Sequence, residues 1–235
     1  MQKKNSSDEL FDHHASTYDD DLAKGLALTG ESKSYFAETR VEWLKKKLSK
    51  MAFAPKNILD YGCGDGATVP LLADRLSGEL MVGTDPSAKA IAIAKQKYAG
   101  DNFEFHILNS TGLEHSIFDL VYSNGVFHHI TVEQRPETIK WIHDRLHIGG
   151  VFALWENNPL NPATRLIMSR VAFDRGCVMV WPHQARKMLI EAGFNVISIS
   201  YQFIFPRFLG LFRFLESPLA SIPLGGQYLI LAQKK

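Results

Sequence analysis

The chain has 235 residues, of which 46% are hydrophobic and 22% charged, with a formal net charge of +1. This composition predicts one ordinary globular domain with appendages. The near-neutral charge argues against bulk electrostatic binding of nucleic acid, so we expect no nucleic-acid partner. The two cysteines, Cys63 and Cys177, are too few to indicate a disulfide framework or a zinc site, so we expect a reducing, cytoplasmic location and no metal.

The N-terminal segment from Met1 to Asp21 is polar and acidic, which differs from a secretory signal peptide. No run of about 18 apolar residues exists in the chain, so we predict no transmembrane segment. We predict a short helix ending near Tyr18 and a longer amphipathic helix from Ser32 to Lys50. The expected organisation is an N-terminal helical cap over residues 1–50 and a main domain over residues 51–235.

A glycine-rich turn follows the first predicted strand. The stretch Asn57 to Thr68 reads Asn-Ile-Leu-Asp-Tyr-Gly-Cys-Gly-Asp-Gly-Ala-Thr. Glycine permits backbone torsions that other residues resist, and it lets a flat polar ligand lie directly against the main chain. Asp60, two residues before Gly62, would oppose a pyrophosphate at the start of the next helix, whereas it would favour a cationic amine or sulfonium.

The order acid-x-Gly-x-Gly-x-Gly from Asp60 to Gly66 resembles the first motif of class I S-adenosylmethionine-dependent methyltransferases. Gly62, Gly64 and Ala67 also satisfy the looser GxGxxG/A dinucleotide pattern. An NAD(P)-dependent oxidoreductase is therefore the alternative interpretation, and a non-catalytic S-adenosylmethionine-binding protein is a further one.

The second predicted strand, Glu79 to Asp85, ends in an acid about 19 positions after the last glycine of the turn. A carboxylate at this position can accept both ribose hydroxyls of an adenosyl ligand. Asp85 before Pro86 is also a good helix N-cap, and the two roles compete for the same oxygens. We favour ribose binding because of the position relative to the glycine turn.

The third and fourth predicted strands, Phe103–Leu108 and Phe118–Ser123, end in polar residues. After the third come Asn109 and Ser110, where the resemblance implies a contact to the adenine amine. The fourth runs into Asn124-Gly-Val-Phe-His-His-Ile130, which resembles the fourth motif of small-molecule methyltransferases. The resemblance implies that this strand tip lies beside the transferable methyl group.

Three residues are candidates for catalysis. His128 and His129 are adjacent at a strand tip, so we expect at most one to face the substrate. An imidazole suits a general base that deprotonates a hydroxyl, but the pair also fits packing on the cofactor or capping of the next helix. Glu156 follows a predicted fifth strand, Val151–Trp155, in a proline-broken segment that we expect over the cleft. It is either an alternative base or a solvated acid in a turn.

Two segments of the main domain are predicted to be lid insertions, at residues 156–181 and 206–224. The second is rich in phenylalanine and leucine but too interrupted to cross a membrane. We prefer a lid to a helix on a membrane surface, although peripheral membrane contact stays open. The sixth strand, Phe194–Phe205, and the terminal strand, Gln227–Ala232, would pair antiparallel by the resemblance.

The alternation of strands and helices predicts a doubly wound α/β sheet with its ligand at the carboxyl ends of the strands. The resemblance implies a Rossmann-like methyltransferase fold with seven strands, mostly parallel, and an antiparallel last strand. It also implies S-adenosyl-L-methionine as cofactor and S-adenosyl-L-homocysteine as product. The phenylalanine-rich flanking segments and the near-neutral charge favour a small, partly apolar acceptor. The oligomeric state stays open.

The cofactor contacts expected from the motifs lie at the carboxyl edge of the sheet. One further contact is a tyrosine of the N-terminal segment, which resembles the segment that covers the cofactor cleft in methyltransferases of this type. Together these contacts are Tyr18, Asp60, Gly62, Cys63, Gly64, Asp85, Pro86, Asn109, Ser110, Ser123, Asn124 and Gly125.

Overall fold

The computed structural model describes residues 29–98, 100, 102–108, 113, 116–171, 174 and 176–235. The predicted contacts of Tyr18, Asn109 and Ser110 lie outside the described residues, as does most of the N-terminal helical cap. Among the helices that are described, none combines the length and apolar character needed to cross a membrane.

One seven-stranded sheet forms the centre of the molecule, with the strand order β3-β2-β1-β4-β5-β7-β6. Its strands are β1 Asn57–Tyr61, β2 Leu80–Asp85, β3 Phe103–Ile107, β4 Phe118–Asn124, β5 Leu146–Asn157, β6 Phe194–Gln202 and β7 Gln227–Lys234. β7 is antiparallel to both of its neighbours, and the other neighbouring pairs are parallel. The predicted fold class, with an antiparallel last strand, is confirmed.

Helices cover both faces of the sheet. The described α-helices are α1 Lys33–Lys50, α2 Thr68–Leu76, α3 Ala88–Tyr98, α4 Arg135–Asp144, α5 Pro162–Arg170, α6 Pro182–Glu191 and α7 Glu216–Leu219. Two 3₁₀ stretches, Phe127–His129 and Arg207–Leu215, stand in the connections after β4 and β6.

The alternation of side chains along the buried strands produces two cores. Leu59 and Phe152 point to one face, where they join apolar residues of α4 and α6. Their neighbours Ile58 and Val151 point to the other face, where they join α1, α2 and α3. Because both faces are covered, the central strands are hydrophobic over most of their length, as expected for the parallel part of the sheet.

The strand order reverses between β1 and β4, and this is where a doubly wound sheet binds its ligand. Asp60 of β1 pairs with Gly83 of β2 on one side and with Tyr122 of β4 on the other. The carboxyl ends of the three strands therefore meet at one edge, below the glycine turn.

Several element boundaries differ from the sequence expectation. β5 extends to Asn157, because Glu156 and Asn157 pair with the first two residues of β7. The prediction that Glu156 hangs over the cleft in a turn is therefore wrong. β6 ends at Gln202 instead of Phe205, and the 206–224 segment holds a 3₁₀ stretch and one short helix instead of a single lid helix.

Candidate active site

The glycine turn connects β1 to α2 through three residues in the left-handed region. Gly62, Gly64 and Gly66 have φ values of 79°, 55° and 79°. The Gly62 and Cys63 amides both donate to the Thr84 carbonyl of β2, at 2.7 and 2.9 Å. The turn is thus bonded to the neighbouring strand, and its outer backbone is left facing the cleft.

The glycines serve different purposes. A Cβ on Gly62 would collide with Val126, whereas a Cβ on Gly64 would meet nothing within 4 Å. Gly62 is therefore required by packing within the protein. Gly64 instead leaves a strip of bare backbone open to the cleft, which is the surface that a flat ligand needs.

Asp85 holds the turn to the end of β2. Its Oδ2 accepts a hydrogen bond from the Gly64 amide at 3.0 Å, and its Oδ1 accepts one from the Ser87 amide at 2.9 Å. The following helix starts at Ala88 and is capped by Ser87, whose Oγ accepts from the Ala90 amide at 3.1 Å. The N-cap role considered for Asp85 is therefore wrong. Asp85 and Pro86 also line the cleft, and ribose binding by the remaining lone pairs stays a prediction.

Asp60 is buried at the base of the cleft with only 3% of its surface exposed. Burial and the nearby Asp85 carboxylate raise the pKa of Asp60 to about 7, against a smaller opposing effect of Arg40. A buried carboxyl of this kind is stabilised in its charged form by an added cation.

Arg40 is a further cleft residue, and it contributes from the amphipathic helix α1. Its side chain is buried and donates to Gln227 Oε1 at 3.1 Å. The sequence does contain a signal for it, since Arg40 stands in the same helical stripe as Leu44 and Leu48.

A cleft of about 1390 Å³ opens above these strand ends. The turn residues lie at one end of it, as do Asn124 and Gly125 from the tip of β4. Asn124 Oδ1 is buried and has no hydrogen-bond partner among the residues that the structure describes. An acceptor without a partner beside a buried carboxylate fits a ligand that carries an ammonium and a sulfonium, so these residues suit S-adenosylmethionine.

Ser123 and Cys63 are buried next to the cleft, but only one of them lines it. The side chain of Ser123 is fully buried and does not line the cleft, so Ser123 is not kept among the cofactor contacts. Cys63 does line the cleft, and burial holds the pKa of its thiol well above the usual value.

Glu156 and His128 form a buried pair behind the cleft. Glu156 Oε2 lies 2.7 Å from His128 Nδ1, and Glu156 Oε1 accepts from the Phe127 amide at 2.7 Å. Glu156 is fully buried and does not line the cleft, whereas His128 does. Glu156 is therefore placed to orient His128 and does not contact the cleft itself, and its part in catalysis stays a prediction.

Asp174 brings the two histidines together. Its Oδ1 lies 3.5 Å from His128 Nε2 and 3.5 Å from His129 Nε2, and all three residues line the cleft. Both histidines line the cleft, because they lie on a 3₁₀ turn with ring centroids 4.1 Å apart; that at most one of them faces the substrate stays a prediction. No sequence pattern points to Asp174, which contacts these histidines only through the tertiary fold.

The two imidazoles differ in their electrostatic surroundings. Burial by itself lowers the pKa of His128, but the Glu156 and Asp174 carboxylates outweigh burial and raise it to about 10. Burial and the charge of His128 lower the pKa of His129 to about 2. His129 Nδ1 lies 3.1 Å from Cys177 Sγ, where burial and Asp174 raise the thiol pKa to about 11.

Arg135 fastens the histidine turn to the segment that follows α5. Its Nε donates to the carbonyls of Phe127 and Ile130, at 2.9 and 3.0 Å, and its Nη2 donates to the Val178 carbonyl. Arg135 is 2% exposed, so these are buried charge-assisted hydrogen bonds.

The 206–224 segment closes one side of the cleft. Arg213 donates to Glu31 Oε1 at 2.6 Å and lies over the ring of Tyr35, which joins the segment to the start of α1. Phe208 and Arg213 line the cleft, whereas Leu211 is 84% exposed. This placement agrees with a lid, and its role stays a prediction.

Comparison with known proteins shows the family. Residues 58–150 match a family model described as a methyltransferase domain. An uncharacterised methyltransferase of Synechocystis sp. is 32% identical over 156 residues, which is 64% of this chain and 72% of that protein. A trans-aconitate 2-methyltransferase of Rhodopseudomonas palustris is 25% identical over 154 residues, or 65% of this chain and 57% of that enzyme. The chain thus spans little more than half of this second relative.

Solved structures share the fold. The magnesium protoporphyrin IX methyltransferase of Synechocystis with bound S-adenosylhomocysteine has a TM-score of 0.66 at 17% identity, covering 98% of this chain and 100% of that one. An S-adenosylmethionine-dependent methyltransferase of Mesorhizobium loti has a TM-score of 0.59 at 20% identity, covering 83% and 98%. The chain belongs to the methyltransferases, and its fold is that of S-adenosylmethionine-dependent members of this family.

Proposed function

We propose that the protein transfers the methyl group of S-adenosylmethionine to a small, partly apolar acceptor, with His128 and His129 at the acceptor end of the cleft. The single observation that carries this proposal is the size and continuity of the cleft. Its volume, about 1390 Å³, exceeds the roughly 300–1,000 Å³ of sites for one drug-sized ligand. It therefore has room for a second molecule beside the cofactor.

The lining at the acceptor end favours a partly apolar molecule. Ile167 and Met168 of α5 contribute apolar surface, as do Phe203 and Phe205 after β6. The two histidines and Asp174 supply polar groups to the same cleft. A mostly apolar wall with a few convergent polar groups is typical of a small-molecule site.

Within this site we assign cofactor contacts to the turn and strand tips. Asp60 and Asn124 face the cationic groups, the Gly64 backbone supports the ligand, and Asp85 is placed for the ribose. When bound, the cofactor supplies a methyl group that its sulfonium already activates for in-line displacement. The residues of the cleft then need above all to position the acceptor, and positioning can supply roughly 7–11 kcal/mol of the barrier reduction.

The proposal is tested with methyl-labelled S-adenosylmethionine and a cell extract divided by ultrafiltration into small-molecule and macromolecular fractions. We expect label in a product of the small-molecule fraction, together with S-adenosylhomocysteine. Label in the macromolecular fraction would contradict the small acceptor. Cofactor binding without transfer to either fraction would favour the non-catalytic alternative.

A further inference from the structure

A ring nitrogen of each neighbouring histidine converges on one carboxylate oxygen at the acceptor end of the cleft. Asp174 Oδ1 lies 3.5 Å from Nε2 of His128 and 3.5 Å from Nε2 of His129. One ligating atom from each of these three residues lies within 4.8 Å of the other two. We refer to His128, His129 and Asp174 as the His-His-Asp cluster.

The spacing of the cluster matches the coordination of a metal ion. Zinc binds imidazole nitrogen at about 2.0–2.1 Å and carboxylate oxygen at about 2.0–2.2 Å, so neighbouring ligand atoms of a tetrahedral site lie roughly 3.4 Å apart. The two nitrogen–oxygen distances of the cluster are both 3.5 Å. Two of the three spacings are therefore close to those around a bound ion, and the third, between the two ring nitrogens, is at most 4.8 Å.

The outer partners of the histidines are those of a metal site. Glu156 Oε2 lies 2.7 Å from His128 Nδ1, and Cys177 Sγ lies 3.1 Å from His129 Nδ1. A hydrogen bond at Nδ1 fixes the ring so that Nε2 is directed at Asp174. A carboxylate behind a ligating histidine is a common arrangement around zinc, where it orients the ring and raises its basicity.

We propose that the His-His-Asp cluster binds a divalent transition-metal ion, and zinc is a suitable probe because two histidines and a carboxylate are the protein ligands of some catalytic zinc sites. The side chains are between 3% and 13% exposed and all line the cleft, so the ion would be shielded yet open on one side. Three protein ligands leave a coordination position free, as in catalytic zinc sites.

This inference rests on the proposed function, because the open coordination position of the metal ion would face the acceptor. A metal ion at this place favours an acceptor with an oxygen atom, such as a carboxylate or hydroxyl, that can fill the open coordination position. The sequence predicts no metal from its two cysteines. The cluster forms instead from residues of two distant segments that the fold brings together.

The test uses full-length protein freed of metal with a chelator. Zinc is titrated by calorimetry, and cobalt(II) is titrated as a spectroscopic probe whose visible absorption reports coordination geometry. We expect one ion per chain and a cobalt spectrum of a four-coordinate site. Binding should be lost in His129→Ala and Asp174→Asn, and Glu156→Gln should weaken it about 10–100-fold through the outer partner.

The matched control is His147→Ala. His147 is a half-exposed histidine that also pairs with a carboxylate, at 2.9 Å from Asp119, and its replacement should leave zinc affinity unchanged. S-adenosylhomocysteine affinity and thermal unfolding of each variant show whether it remains folded.

The outcomes separate this inference from the proposed function. The metal site alone is overturned if the native protein binds S-adenosylhomocysteine but binds neither zinc nor cobalt stoichiometrically. His128 would then be only the partner of the Glu156 and Asp174 carboxylates. Zinc binding that persists in folded His129→Ala and Asp174→Asn variants also overturns the metal site. Failure to bind S-adenosylhomocysteine would instead count against the proposed function, whatever the zinc result.

Discussion

Asp60 illustrates how a single buried residue prepares the cleft for a cationic ligand. Burial and the Asp85 carboxylate raise its pKa to about 7, so in the absence of ligand it is protonated below that pH. A sulfonium or ammonium nearby favours the ionised carboxylate and lowers this pKa. Ligand binding below pH 7 must therefore release a proton, which reduces the apparent affinity there.

The affinity for S-adenosylmethionine is accordingly expected to rise with pH up to about 7 and to level off above it. In Asp60→Asn the affinity should be lower and this pH dependence should disappear. Calorimetry across that range, in buffers of different ionisation enthalpy, measures both affinity and proton release. Asp65→Asn is the control, because the pKa of Asp65 is lowered and its carboxylate is already charged. A native affinity independent of pH would contradict this role of Asp60.

The turn glycines allow backbone strain and ligand contact to be separated. An alanine in the left-handed region costs roughly 1–2 kcal/mol, and Gly62→Ala adds a collision with Val126 that costs about 1–3 kcal/mol more. Gly64→Ala should therefore lose only the smaller amount of unfolding free energy, yet bind S-adenosylhomocysteine far more weakly because its methyl group enters the cleft. Urea unfolding and calorimetry of both variants test this. Equal destabilisation with unchanged ligand affinity would be inconsistent with the assigned roles.

At the level of elements, the histidine turn after β4 is held in place by Arg135 of α4. Its buried hydrogen bonds reach the Phe127, Ile130 and Val178 carbonyls, and so connect two segments that each carry cluster residues. The position of the histidines thus depends on a residue outside the cleft.

We expect Arg135→Ala to lower the unfolding free energy by roughly 1.5–3 kcal/mol, because buried carbonyls lose charge-assisted donors. Methyl transfer should slow while S-adenosylhomocysteine affinity changes little. Arg135→Lys should restore little of the lost stability and activity, since an ammonium lacks the planar fork of donors. Arg186→Ala, an exposed substitution on α6, should stay within about 0.5 kcal/mol of native protein. A fully active Arg135→Ala protein would show that the connection is dispensable.

The 206–224 segment is joined by Arg213 to Glu31, which lies just before α1. It is joined to α1 itself by the contact of Arg213 with Tyr35 and by a hydrogen bond of 2.9 Å from Lys46 to Ser217. Arg213→Ala should accelerate amide hydrogen exchange within Arg207–Leu215, because the side chain that fixes this stretch against Tyr35 is removed. Arg207→Ala should have a smaller effect, since its contact to the Gly30 carbonyl is long, at 3.4 Å. Unchanged exchange in Arg213→Ala would argue against a hinged lid.

At the level of the whole molecule, the sequence predicts the sheet well because its signals are local. Strand and helix periodicity, and the glycines from Gly62 to Gly66, depend on neighbouring residues. The placement of Glu156 was not predictable in this way, since its strand pairing depends on Tyr228 far along the chain. Asp174 is a similar case, because the fold alone brings it to the histidines.

The most direct test of the cofactor cleft is a parallel calorimetric titration of the purified protein with S-adenosylmethionine, S-adenosylhomocysteine and NAD. We predict micromolar binding of the first two at one site per chain, because buried Asp60 favours a sulfonium over a pyrophosphate. We predict no heat from NAD. Binding of NAD without binding of either adenosyl ligand would contradict the assignment of the cleft at Asp60 and the glycine turn to S-adenosylmethionine.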